Sequence, residues 1–170
     1  MSADPQPPGT PEERPPQPRH GAHEFELGTD GPKVILAGLD GSDSSWRAAA
    51  YAAGLARRQD SLLALVYVQP LSGSISAGVG AAAAAAGRET AEELAAELRR
   101  ATAASGWRGR LRWEFHTFPG EPCAGLAQAA DQLRADALVV GASGRAGYRL
   151  TGSVAHRLIK RGRWPVTVVP

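Results

Sequence analysis

Only one cysteine, Cys123, occurs in the 170 residues, which excludes an internal disulfide framework and a cysteine-built metal cluster within one chain. A reducing, cytoplasmic setting is the expectation. No apolar run approaches the roughly 18 to 20 residues that a membrane-spanning helix needs, so no membrane span is expected. The first thirty residues carry seven prolines from Pro5 to Pro18 and no apolar stretch, so they do not read as a secretory signal. The four histidines, His20, His23, His116 and His156, lack HExxH-like spacing, and no second ligand type gathers around any pair. Nothing resembles a nucleophile elbow, and no set of nucleophile, base and orienting group can be assembled. No catalytic residue is therefore named.

What is present is an apolar fraction of 43%, ordinary for a chain that folds around one core, and a length that suits a single domain. The net charge of +2 is unevenly placed. Met1–Asp30 holds six acids and two arginines, hence −4, which leaves +6 for Gly31–Pro170. The excess suits phosphate ligands and is too modest to argue for nucleic acid. Proline, glycine and charge dominate Met1–Pro32, a segment with too little apolar surface to offset the entropy of ordering it. A disordered tail is expected over 1–32, and the folded domain over 33–170.

Within that domain strand and helix signals alternate, the pattern of a parallel sheet with crossover helices. Strands are expected at Lys33–Leu39, Ser61–Val68, Leu111–Phe118, Ala137–Val140 and Trp164–Val169. Most are near-continuous in Val, Leu, Ile or Ala, as strands covered on both faces should be. Three helical stripes lie between them: Trp46, Ala49, Ala50 and Ala53; Ala91, Leu94, Ala95 and Leu98; Cys123, Leu126, Ala127 and Ala130. Cys123 falls on such a stripe and reads as a buried, inert thiol. Pro122 suits a first helical turn, and Ser153 suits the cap of a last helix bearing Val154, Leu158 and Ile159. Lys160, Arg161 and Arg163 stand where cations complement a helix C-terminus. The glycine-rich part of Gln69–Gly87 reads as a mobile loop, with its six alanines extending the second helix.

Two short segments follow strand ends: Asp40-Gly41-Ser42 after the first strand, and Gly141-x-x-Gly144 with Gly152-Ser153 after the fourth. In open α/β sheets ligands bind outside the carboxyl ends of strands, where the winding reverses. If the first and fourth strands are neighbours, both segments face one crevice. Glycine lets backbone amides approach a phosphate, and a helix opening at Gly152-Ser153 points its positive end at an anion. Ordinary structure explains the same residues: a strand-end turn for Asp40-Gly41-Ser42, a chain reversal for the glycines, an N-cap for Ser153. The sequence leaves both readings standing.

Taken together, Val34–Ser42 (VILAGLDGS), Leu62–Val68, Gly120-Glu121-Pro122, Ala135–Gly141 (ADALVVG), Gly152-Ser153-Val154 and Pro165–Val169 (PVTVV) resemble the universal stress protein family, in the expected order and across nearly all of Lys33–Pro170. The resemblance implies a Rossmann-like α/β fold, an open five-stranded parallel sheet of order 3-2-1-4-5 with helices on both faces, and a homodimer through the C-terminal strand. It implies a regulator in stress response that binds an adenine nucleotide, ATP or AMP. Asp40 would then lie near the nucleotide or a bound Mg²⁺, the backbone near Val68 would meet the adenine, and Gly141, Gly144, Gly152, Ser153 and Val154 would line the ribose and phosphates. The chain departs from the family's ATP-binding pattern, Gly-x2-Gly-x9-Gly-Ser/Thr. Only seven residues, Arg145–Thr151, separate Gly144 from Gly152, so the loop is two residues short. Arg145 and Arg149 offset the loss if they pair directly with an anion.

Two other functions compete with this one. A dimeric interaction protein of the same fold, without nucleotide, is favoured by the shortened loop. An ATP-pyrophosphatase-type enzyme is suggested by Asp40-Gly41-Ser42-Asp43-Ser44, which superficially resembles an SGGxDS loop. The match is poor: Asp40 replaces the leading serine and Ser42 the second glycine, removing the pliable backbone such a loop needs. At most weak ATP hydrolysis is left to an enzymatic role.

Overall fold

The computed structural model describes residues 31–70, 77–104, 111–142 and 153–170. Five strands, β1 (Val34–Gly38), β2 (Leu62–Gln69), β3 (Arg112–Pro119), β4 (Ala137–Gly141) and β5 (Val166–Val169), alternate with four helices, α1 (Asp43–Gln59), α2 (Ala77–Ala104), α3 (Pro122–Gln132) and α4 (Ser153–Arg161). All neighbouring strands pair in parallel, in the order β3-β2-β1-β4-β5. The fold expected from the sequence is thus the fold observed.

The central strands β1 (VILAG) and β4 (ALVVG) are apolar at every position because both faces are covered. Ile35, Ala37 and Leu39 face α1 and α2, while Leu36 joins Val66, Leu138 and Val140 against α3 and α4. Fully buried leucines such as Leu36 and Leu138 each contribute about 2 kcal/mol by area alone. The face of α1 that meets the sheet is almost all alanine: Ala48, Ala49, Ala52, Ala53 and Ala56 are buried. Of the expected stripe Ala49 and Ala53 are buried and half-buried Trp46 packs on the core, while Ala50 is exposed and is corrected. Small side chains at successive turns let α1 lie close to the sheet.

The stripes of α2 and α3 stand as expected, with Leu94, Leu98, Cys123, Leu126, Ala127 and Ala130 buried. The glycine-rich connection differs in part: its six alanines extend the second helix as expected, the helix also takes in Gly78 and Gly80, and residues 71–76 lie outside the described residues. Helix α2 begins at Ala77. The run of six alanines continues into the rest of α2 and outweighs Gly78 and Gly80, which cost about 1 kcal/mol each. The amide of Gln69 donates to the Ala84 carbonyl at 3.0 Å and ties this half of α2 to β2. Strand β3 (RWEFHTFP) is an edge strand and alternates rather than running apolar.

Candidate functional site

The winding reverses between β1 and β4: from β1 the chain proceeds outward to β2 and β3, and the later half returns to β4 and β5 on the other side. Consecutive crossovers therefore diverge above the carboxyl ends of β1 and β4 and leave a crevice there. Its volume is about 260 Å³, and Asp40, Val68, Gly141 and Val154 all line it. Four of the expected site residues are thus brought together. Ser153 opens α4 and lies in the helix itself rather than at the expected cap position before it. Gly144, Arg145, Arg149 and Gly152 lie outside the described residues.

The Asp40 turn explains its own shape. Both donors of Ser42, the amide at 3.0 Å and the hydroxyl at 2.6 Å, reach the same carboxylate oxygen, Oδ1. Ser42 in turn caps α1, its hydroxyl accepting from the Ser45 amide at 3.2 Å. Buried Ser45 donates its own hydroxyl to the Ser42 carbonyl at 2.8 Å and accepts from the Asp40 amide at 3.3 Å. Gly41 between them has φ +84°, the left-handed region that glycine enters without steric cost. Burial pushes the Asp40 carboxyl up, but the hydrogen bonds from the Ser42 side chain and backbone, with Ser45, outweigh it and hold the acid below its ordinary range. Asp40 is therefore a carboxylate at neutral pH.

Two close approaches give the crevice its narrow form. A Cβ on Gly141 would stand 2.6 Å from the backbone carbon of Ser44 and 2.8 Å from its carbonyl oxygen. Glycine is what lets the first turn of α1 rest on the end of β4. A Cβ on Gly125 of α3 would fall 2.5 Å from a methyl of Val68. The sequence singled out Gly141 for approach to a ligand; in the structure its neighbour is protein.

The walls are apolar, formed by Val66, Val68, Leu126, Val140 and Val154 with Pro122, and the polar groups gather on one side as Asp40, Ser42 and Ser44. Such a slot accepts a flat apolar ring and offers hydrogen bonds or a negative charge at one margin. Leu126, Pro122 and Ser44 were not expected at the site, although the helix stripe placed Leu126 inward and Pro122 was placed at a helix entry. Glu121, also missed, caps α3: its carboxylate accepts from the amides of Cys123 and Ala124, both at 3.2 Å, and from Arg157 of α4 at 2.7 Å. Slight burial raises its pKa, and these amides together with Arg157 more than reverse that and hold it low. The Glu121–Arg157 pair links α3 to α4 beside the crevice. Among the described residues no group of three His, Cys, Asp or Glu side chains gathers to hold a metal. Cys123 is buried, as the sequence suggested, and His156 is exposed on α4.

Comparison with known proteins agrees with this architecture. The profile of the universal stress protein family matches residues 32–170. A universal stress protein of Methanocaldococcus jannaschii is 30% identical over 142 residues, 81% of each chain. Among solved structures, a universal stress protein from Lactobacillus plantarum superposes with a TM-score of 0.71 at 20% identity, covering 81% of this chain and 97% of its own. A universal stress protein determined in complex with cAMP superposes at 0.63 with 27% identity, covering 82% and 97%. Other solved proteins of this fold were determined with dAMP or AMP bound.

Proposed function

Because the chain belongs to the universal stress protein family, we propose that its crevice binds an adenine nucleotide, ATP or AMP, and that the bound state is read out by partner proteins during stress response in the cytoplasm. The observation that carries this reading is the position and chemistry of the crevice. An apolar slot with one ionised carboxylate and two serines lies at the switch point of β1 and β4, in a fold whose 27% identical relative was solved with cAMP. In this reading the adenine lies between Val68 and Leu126, Asp40 and Ser42 face the ribose, and the amino end of α4, at Ser153 and Val154, faces phosphate. Gly144, Arg145 and Gly152 complete the phosphate side. A Mg²⁺ bound here would be carried mainly by the nucleotide's phosphates, since Asp40 is the one carboxylate among the described lining residues.

The same family membership supports homodimerisation through β5, which is an edge strand with Val166, Thr167, Val168 and Val169 all half-buried. Two copies related by a two-fold axis cover this edge by antiparallel pairing. Light scattering at micromolar concentration then gives the dimer mass, with Val168→Lys shifting it toward monomer or aggregate. A monomer mass for the unmodified protein contradicts the dimer.

The shortened Gly144–Gly152 loop favours a second reading, a dimeric interaction protein of this fold that holds no nucleotide. Mass spectrometry of small molecules released on denaturing freshly purified protein separates the two. An adenine nucleotide in near-stoichiometric amount supports the first. Its absence, together with no binding of added nucleotide, leaves the second.

A further inference from the structure

In a parallel α/β sheet every helix runs back against the strands, so all helix C-termini and all strand N-termini meet at the end opposite the crevice. Here that end is cationic. Helix α1 finishes with Arg57 and Arg58, and α4 with Lys160 and Arg161. Arg99 and Arg100 lie in the closing turns of α2. Arg134 follows α3 with φ +52°, a left-handed position that favours glycine, yet it carries a long exposed cation. All seven side chains are exposed, and none pairs with an acid among the described residues.

Three acids of this end already have partners. Asp60 lies 3.8 Å from Arg112. Asp131 holds Arg163 through two hydrogen bonds of 2.9 and 2.7 Å. Asp136 accepts the amides of Lys33 and Val34 at 2.7 and 2.9 Å. Glu97 stands about one helical turn from Arg100 on α2. Helix dipoles favour the cations at the ends of α1 and α4 and Arg134 just past the C-cap of α3, yet none of these has an acid as its partner among the described residues.

We propose that this cationic end is the docking surface for the chain's own N-terminal segment, residues 1–30. That segment has six acids against two arginines, and it joins the domain at Gly31 and Pro32, immediately before β1 and so at this same end. Glu24 is seven residues from Gly31, a reach of up to about 25 Å. The five strands span about 20 Å between their edges, so Glu24 and Glu26 reach cations on either side of β1, while Asp30 stays beside the start of β1. Tethering supplies an effective concentration on the order of millimolar. The contact is electrostatic and needs no apolar burial, consistent with a segment too polar to fold by itself. It weakens as salt shortens the screening length.

Amide spectra of the full chain and of a full chain carrying Glu12→Gln, Glu13→Gln, Glu24→Gln and Glu26→Gln test this. At about 20 mM salt, where the screening length exceeds 10 Å, the two differ at the amides of 57–60, 134–136 and 160–162, and the differences collapse in high salt. Conversely, Arg57→Gln, Arg58→Gln and Arg134→Gln together shift the amides of Glu24 and Glu26 toward their high-salt positions. Differences confined to residues 1–32, or unaffected by salt, overturn the proposal. So do Glu24 and Glu26 amides that ignore the arginine changes. A cationic end that is identical in the two chains but shifts on adding a single-stranded oligonucleotide assigns the surface to nucleic acid instead, and likewise overturns it.

Discussion

The two ends of the sheet are built on opposite plans. At the carboxyl ends of β1 and β4 the chain is opened by glycines and apolar walls, and its polar groups, Asp40, Ser42 and Ser44, line an empty-sided slot. At the amino ends the chain is tied down: Asp136 holds the first amides of β1, the Ser61 hydroxyl donates to the Pro32 carbonyl, and Arg112 reaches Asp60. The difference teaches where this fold can vary. The tied end sets register and tolerates exposed cations, while the open end depends on a few close backbone approaches that leave no room for side chains.

The largest expected effect lies at the open end. Gly141→Val must push α1 away from β4, since the added Cβ meets the Ser44 backbone at 2.6 Å. A loss of about 3 kcal/mol is expected in urea unfolding, with distortion of the crevice. A loss below about 1 kcal/mol would show that α1 yields easily and would erase the contrast. Gly162, after α4 at the tied end, has φ +61° and open space around it. Gly162→Ala should therefore cost only the backbone strain, about 1 kcal/mol.

Asp136→Ala removes two charge-assisted hydrogen bonds at the tied end, but they are exposed. About 1 kcal/mol is expected, read from the same melts, with crevice ligand binding unchanged. A changed ligand affinity would mean that the two ends are coupled. The smallest effect concerns Glu121. Its folded-state pKa is lowered, so its contribution is full above the ordinary value of 4.5 and is lost as pH falls through the lowered value. The stability difference between the unmodified chain and Glu121→Gln should therefore be constant near neutral pH and fade on acidification below about pH 4.5. A difference that grows with acid contradicts the capping geometry.

That β1 and β4 are buried parallel strands was legible because both are apolar at every residue; the strand order came only with the resemblance to the universal stress protein family, and with it the crevice shared by Asp40-Gly41-Ser42 and Gly141. The start of α2 was not legible. Gly78 and Gly80 read as part of a loop, yet the following alanines carry the helix back to Ala77. The face of α1 was read in part. Ala49, Ala53 and Trp46 face the core, but in an alanine-rich helix hydrophobicity barely varies round the axis, so Ala48, Ala52 and Ala56 were missed and Ala50 was placed inward in error. Leu126 and Ser44 enter the site through tertiary approach, at Gly125 and Gly141, and no local pattern announces such contacts.

The central claim is that the open end holds an adenine nucleotide. Calorimetric titration of the full-length protein with AMP and with ATP in the presence of Mg²⁺ tests it most directly. Saturable heat at a stoichiometry of one nucleotide per chain, weakened by Asp40→Ala, is the predicted result. Absence of any heat at millimolar nucleotide, from protein that carries no nucleotide through purification, would contradict it.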